Sequence, residues 1–259
     1  MKRVSILTAT LLAVAVVQAW ATPTVPCSTS DMNLGTILST PSFSCEVGDK
    51  IFSNFTYTSS SSGAIALPSS AVTVDTLGPL TGTDPADLLS SNIGLQFSAG
   101  WTASSVCSNS AGCTGAETDS LIGFTVTVVG GSNMVITDLG LTQTSAVTGT
   151  GSLAQVDENA CGPASCTPGT LSVHTFDNGS NSGTLRIADT IINPGLGSVQ
   201  VQQDINVLAG ATWSANAGLS AVTDTFSQSP SGVPEPATML LVGGALCGLA
   251  AIRRRSAKR

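Results

Sequence analysis

Short runs of apolar and β-branched residues alternate along this chain with clusters of Gly, Ser, Asn and Pro, the punctuation of an antiparallel β protein. The clearest alternation runs from Val199 to Val207: Val199, Val201, Ile205 and Val207 point one way, and Gln200, Gln202, Asp204 and Asn206 the other. Phe124–Val128 repeats the pattern, and Met134–Leu141 is its expected hairpin partner across Gly130-Gly131-Ser132-Asn133. Further strands are expected at Lys50–Thr58, Ala71–Leu77, Ile93–Ala99, Leu171–Phe176 and Thr184–Ala188, the last two joined by Asp177–Gly183. Ala211–Phe226 mixes helix-tolerant Ala and Ser with strand-favouring Thr212, Trp213, Val222 and Thr223, and reads as strand. Asp84-Pro85-Ala86-Asp87 combines an N-cap with a first-turn proline and predicts a short helix at the sandwich edge. The expectation is an all-β, antiparallel β-sandwich ectodomain.

Two segments break the period-two pattern. At the N-terminus, Lys2 and Arg3 precede an apolar run from Ile6 to Val17 and then Ala19-Trp20-Ala21, the small-x-small pattern a signal peptidase reads. Residues 1–21 are read as a signal peptide cut after Ala21, and residues 22–228 as the ectodomain. Ser- and Gly-containing residues 229–233 read as a linker. Pro234-Glu235-Pro236 then leads into an uncharged stretch at 237–252, closed by Arg253, Arg254 and Arg255 and a basic tail to 259. Sixteen residues at ~1.5 Å rise cover roughly 24 Å, short of a hydrocarbon core of about 30 Å, so the expected transmembrane helix is a minimal one. The arginines suit the helix C-terminus and place it on the cytoplasmic side.

Charge sharpens this topology. Of nine Lys and Arg residues only Lys50 and Arg186 lie outside the two termini, while fifteen acids occupy 22–233, giving that segment a formal charge of −13. That charge argues against nucleic acid as a partner.

The proline pair around Glu235, the short apolar helix and the terminal arginines together resemble the PEP-CTERM sorting signal of Gram-negative bacteria that make exopolysaccharide. The resemblance covers about the last 27 residues. It implies cleavage near Pro234–Pro236 by an exosortase-type membrane protease, hence an anchored intermediate in the inner membrane and a final place at the cell surface or in the extracellular matrix. It implies no enzymatic activity for the passenger. Passengers of this kind are often rich in Ser and Thr and poor in cysteine; this one has the first trait and departs from the second.

Six of seven cysteines fall in the exported part as three local couples, Cys27 with Cys45, Cys107 with Cys113 and Cys161 with Cys166, and disulfides between nearest neighbours are the expected pairing. Zinc ligation needs CxxC-type spacing or histidine partners, and the chain has neither. No cofactor is expected. His174, the single histidine, sits on an expected strand and reads as a solvent-side residue rather than a catalytic base. Asp157 and Glu158 read as a solvated loop. Asp177, Asn178, Ser180 and Asn181 are the best local oxygen cluster for Ca²⁺, but lack the terminal Glu of the twelve-residue loop and read as an Asn-Gly turn. Trp101, Trp213 and Tyr57 are a candidate sugar-stacking platform, with core packing favoured because aromatics are only 4% of the chain. The function expected is structural or adhesive and not enzymatic; the alternatives are an exopolysaccharide-binding module and a secreted hydrolase.

Overall fold

A computed structural model describes residues 25–27, 31–78, 93–109, 112–130, 134–162, 171–179 and 184–231. The signal peptide with Ala19 and Ala21, the helix expected at 84–89, Cys166, and the sorting segment with Pro234, Glu235, Pro236, Arg253, Arg254 and Arg255 lie outside them. Among the described residues no helix is long and apolar enough to cross a membrane.

Alternating side chains make each strand two-faced, and two sheets bury their apolar faces against each other. The first sheet has seven strands in the order β1 (Val25–Pro26), β3 (Ser44–Val47), β4 (Lys50–Ser62), β9 (Ala116–Val128), β14 (Ser198–Ala209), β11 (Leu153–Cys161), β12 (Ser172–Asp177). The second has six, in the order β13 (Ile187–Leu196), β10 (Met134–Thr148), β15 (Asn216–Pro230), β6 (Gly94–Ser104), β5 (Thr73–Leu77), β2 (Met32–Asn33). All pairings in both sheets are antiparallel except β1 with β3. A small hairpin, β7 (Val106–Ser108) with β8 (Gly112–Thr114), stands apart, and one six-residue helix, α1 (Leu34–Ser39), is capped by Asn33.

The core between the sheets centres on Phe52, Phe97, Phe124 and Phe226, whose ring centroids lie 5.6–6.3 Å apart in tilted and edge-on pairs. Fully buried Trp101 joins this layer and donates its indole N–H to Ser120 Oγ at 3.2 Å. On β14 the expected faces hold: Val199, Val201, Ile205 and Val207 are buried.

Two expected connections come out differently. The turn after Val128 does not close a hairpin: β9 belongs to the seven-stranded sheet and β10 to the six-stranded one, so the chain crosses between layers there. Each strand has a mostly apolar inward face, and the crossing places the two in opposite layers, so that each covers strands of the other sheet: β9 lies over β6, and β10 over β11 and β12. Likewise β12 and β13 lie in different sheets, and the expected strand pair reduces to one isolated antiparallel bridge, Phe176 with Leu185, just ahead of β13. Asp157 and Glu158, read as a loop, lie in the middle of β11. Within Ala211–Phe226, residues 211–215 form a turn, and the strand begins at Asn216 and runs through Pro230 into the segment read as linker.

Strand polarity separates the two ends of the sandwich. β15 finishes beside the start of β10, with Met134 opposite Pro230, and β1 lies beside β3, whose hairpin partner Lys50 pairs with Val128. The sorting segment therefore follows from the same end at which β1 enters the sheet. The loop residues 63–68, 105–109, 112–115, 149–152 and 210–215 lie at the other end, about 50 Å away along the fifteen residues of β15.

Disulfides fasten both ends. Cys27–Cys45 ties β1 to β3, and Cys107–Cys113 closes the β7–β8 hairpin. Cys161 is disulfide-bonded as well. Cys27 and Cys45 are buried and close a loop of 18 residues, against 6 for Cys107–Cys113. Chain entropy then assigns about 3 kcal/mol to the first bridge and about 2 kcal/mol to the second. Replacing Cys27 and Cys45 by serine is expected to lower the urea midpoint more than the same change at Cys107 and Cys113; an equal or reversed order rules out the loop-entropy account.

Candidate functional site

The outward face of the seven-stranded sheet presents hydroxyls, carboxamides and carboxylates. Asn54 occupies a left-handed conformation (φ 56°) at a bulge in β4, and just beyond it Thr56 comes opposite Gly123. A Cβ on Gly123 would lie 2.4 Å from Thr56 Oγ1, so only glycine fits and the sheet has a dip there. Asn54, Thr56, Thr125, Gln200 and Gln202 border this groove, whose volume is about 340 Å³. A second hollow of about 230 Å³ continues it over Leu121, lined by Thr58, Ser60, Asp119 and Asp204.

Acids concentrate at that second hollow. Asp204 is opposite Asp157 on β11 and Leu121 on β9, and Asp119 is one register step away, opposite Asn206. Partial burial first, then the charge and hydrogen bond of Asp119, and then the charges of Asp157 and Glu117 push the Asp204 carboxyl up to about 6. Asn206 donates to Glu117 at 2.5 Å. His174 faces Asp157 across the β11–β12 pair, its Nδ1 2.6 Å from Asp157 Oδ1, and its ring stacks on Phe176 at 5.3 Å. His174 is thus a solvent-side strand residue, as expected, with an aspartate beside it that the linear sequence did not reveal. Asp119 and Asp204 touch each other, whereas glycoside hydrolysis requires carboxyl groups at least about 5 Å apart with the sugar between them.

The adjacent pair Asp157 and Glu158 splits as a strand dictates: Asp157 faces water and Glu158 faces the core with no exposure at all. There it meets Asp224 of β15 and Gln203 of β14, also fully buried, and Gln203 Nε2 donates to Asp224 Oδ1 at 2.9 Å. Burial raises both carboxyls, Asp224 to about 7 and Glu158 well above its ordinary range, and Glu158 is held up further by the charge and hydrogen bond of Asp224. Both shifts favour the protonated carboxyls over two charges in the core. Sequence reading missed it because Asp224 lies 66 positions from Glu158.

Both mid-chain cations are engaged with acids. Lys50 is buried with its Nζ 3.0 Å from Asp49 Oδ1, and Gln228 donates to the other oxygen of Asp49. Arg186 donates to Asp177 Oδ2 at 2.5 Å, and Asp177 also accepts from Ser145 Oγ and Gly179 N, both at 3.0 Å. These donors hold the Asp177 carboxyl below its usual range despite desolvation. They also occupy the oxygens weighed above for Ca²⁺: Asp177 closes an Asx turn, with Gly179 at φ 72°. Among the described residues no group of three or more His, Cys, Asp or Glu is placed to hold a metal ion.

The three aromatics of the sugar platform do not converge. Trp101 is in the core, Tyr57 is half-buried with its hydroxyl donating to Leu67 O at 2.8 Å, and Trp213 stands 63% exposed on the 210–215 turn. That turn is tied on both flanks: Ser105 Oγ donates to Thr212 O at 2.7 Å, and Gly210 N donates to Ser152 Oγ at 3.1 Å. Val106 and Ile65, 62% and 87% exposed, stand on neighbouring loops of the same end.

Comparison with known proteins bears on the C-terminus. The family model of the PEP-CTERM protein-sorting motif matches residues 232–255. The chain carries a PEP-CTERM protein-sorting motif. This motif marks an exported protein that passes through a membrane-anchored intermediate and is processed by an exosortase-type enzyme. No curated protein matches the chain in sequence. Two solved structures align with parts of the chain. One is the enzymatically active domain of tailspike protein 4 of bacteriophage CBA120, with 13% identity and TM-score 0.25 over 66% of this chain and 19% of that one. The other is a carbohydrate-binding module in complex with β-1,4-galactotriose, with 9% identity and TM-score 0.27 over 67% of this chain and 88% of that one. The chain thus spans about a fifth of the tailspike domain's length.

Proposed function

We propose that this protein is a structural or adhesive component of the cell surface or extracellular matrix, and that it is not an enzyme. The observation that carries the reading is the polarity of the sandwich behind the PEP-CTERM motif. β15 ends at one end of the sandwich, just ahead of the sorting motif, and the hairpin closed by Cys107–Cys113 stands with the other loops about 50 Å away at the opposite end. A domain held by its C-terminal end presents those loops outward. The paired sheets, buried core and disulfides make it a rigid spacer. Exopolysaccharide binding is the second reading, favoured by the carboxamide- and hydroxyl-lined groove over Gly123.

The test is a deletion strain complemented with the wild-type chain. The protein is expected to co-fractionate with the extracellular matrix, and its loss is expected to weaken cell–cell cohesion at unchanged polysaccharide yield. Recovery of the whole pool from the periplasm, or cohesion indifferent to the deletion, rules out the proposal.

A further inference from the structure

The loop end opposite the sorting segment has a chemistry unlike the rest of the molecule. The ectodomain carries a formal charge of −13, yet the loops at 63–68, 105–115, 149–152 and 210–215 contain no Asp, Glu, Lys or Arg. They hold instead Trp213, Val106 and Ile65, all exposed, beside Ser105, Thr114, Thr150 and Thr212. An indole held out in water forfeits the burial that drives the other large side chains inward, and here nothing flexible places it there. Ser105 N donates to Ala215 O at 2.9 Å, Thr212 Oγ1 to Thr150 O at 3.4 Å, and the Cys107–Cys113 bridge closes the hairpin alongside.

We infer that this end is a binding surface for an uncharged polysaccharide, with Trp213 as the stacking platform. Uncharged loops offer a charged polymer, a phosphate headgroup or nucleic acid no attraction, and the acids behind them repel anions. A sugar ring instead offers a face of C–H groups to an aromatic plane and a rim of hydroxyls, matching an indole set among Ser and Thr hydroxyls. The inference rests on the surface-adhesive reading, names its ligand class, and moves sugar recognition from the three-aromatic platform to Trp213 alone.

Trp101 is buried and serves as an internal fluorescence reference once the signal peptide, with Trp20, is removed. The processed protein purified from the cell envelope is titrated with three uncharged polymers, dextran, a soluble β-1,3-glucan and a β-1,4-galactan, and with alginate as the charged control. At least one uncharged polymer is expected to shift the Trp213 emission to shorter wavelength, protect it from acrylamide and retard the protein in affinity gels; alginate is expected to do none of these. Trp213→Ala should weaken retardation at least tenfold with an unchanged melting temperature, and Trp213→Tyr should retain most of it. No response to all three uncharged polymers, or wild-type retardation by Trp213→Ala, overturns the inference. So does a wild-type dimer in sedimentation that Trp213→Ala dissociates, which would assign the end to a second copy of the chain. Loss of polysaccharide binding leaves matrix fractionation untouched, so this failure and that of the adhesive reading are told apart.

Discussion

Replacement of Pro234-Glu235-Pro236 by three alanines leaves the chain uncleaved in the inner membrane, with the released or surface form reduced at least tenfold. The reason is geometric. A helix over the sixteen uncharged residues 237–252 would cover only roughly 24 Å of a core of about 30 Å, and a segment that short suits a handle better than a permanent anchor. The sorting motif implies processing by an exosortase-type enzyme, and that processing is expected at Pro234-Glu235-Pro236. Fractionation with an antibody against the ectodomain, together with the mass of the recovered species, reads the result. Release of normal-sized product from the alanine variant would sink the assignment of the processing site. Since β15 ends at Pro230, the motif follows the fold by only a few residues, and the variant leaves every described contact in place.

The second large effect is a loss of stability on going from mildly acidic to mildly alkaline pH. Asp224 and Glu158 have folded-state values raised above the unfolded ones; the stabilising contribution of Asp224 is complete below pH 4 and disappears as pH rises through about 7, and Glu158 acts in the same direction. A carboxyl shifted from its ordinary value to about 7 corresponds to a few kcal/mol, roughly 5–10 °C in melting temperature for a domain of this size. Asp204 on the outer face acts in the same direction, more weakly because water screens it. Asp177, held below its usual range by Arg186, acts in the opposite direction, but only in strong acid. Melting followed between pH 5 and pH 8 should therefore show a fall, and the double variant Glu158→Gln with Asp224→Asn should flatten it and melt higher than the wild type at pH 8. A wild-type melting temperature that climbs with pH over this window contradicts the raised values of this buried pair.

How far the sequence could be read differs from residue to residue. β14 was legible because its alternation is strict from Val199 to Val207, broken only by Gln203 on the inward face. That Gln was itself a signal: an inward polar residue needs a partner in the core, and here the partner is Asp224. β11 escaped for a related reason. Ala154, Val156 and Ala160 alternate properly, but Glu158 takes an inward position, and an acid there makes a strand look like a loop. The groove over Gly123 had no sequence signature, because a glycine becomes a dip only when a particular neighbour, here Thr56, is laid beside it. Trp213 and Trp101 are the same residue type in similar company, and only packing sends one to the core and the other to the loop end.

The sequence by itself determined what local order can encode: the period-two strands, the charge asymmetry between the ectodomain and its ends, the spacing of the cysteine couples, and the motif that directs sorting. Each is a relation among residues close in the chain. The tertiary structure decided which strands became neighbours, that β9 and β10 belong to opposite sheets, that Glu158 and Asp224 are buried together in the core, and that the uncharged loops collect at the end away from the sorting segment. Those are relations between residues tens of positions apart, set by the joint demand to cover two apolar sheet faces, and no local pattern records how that demand is met.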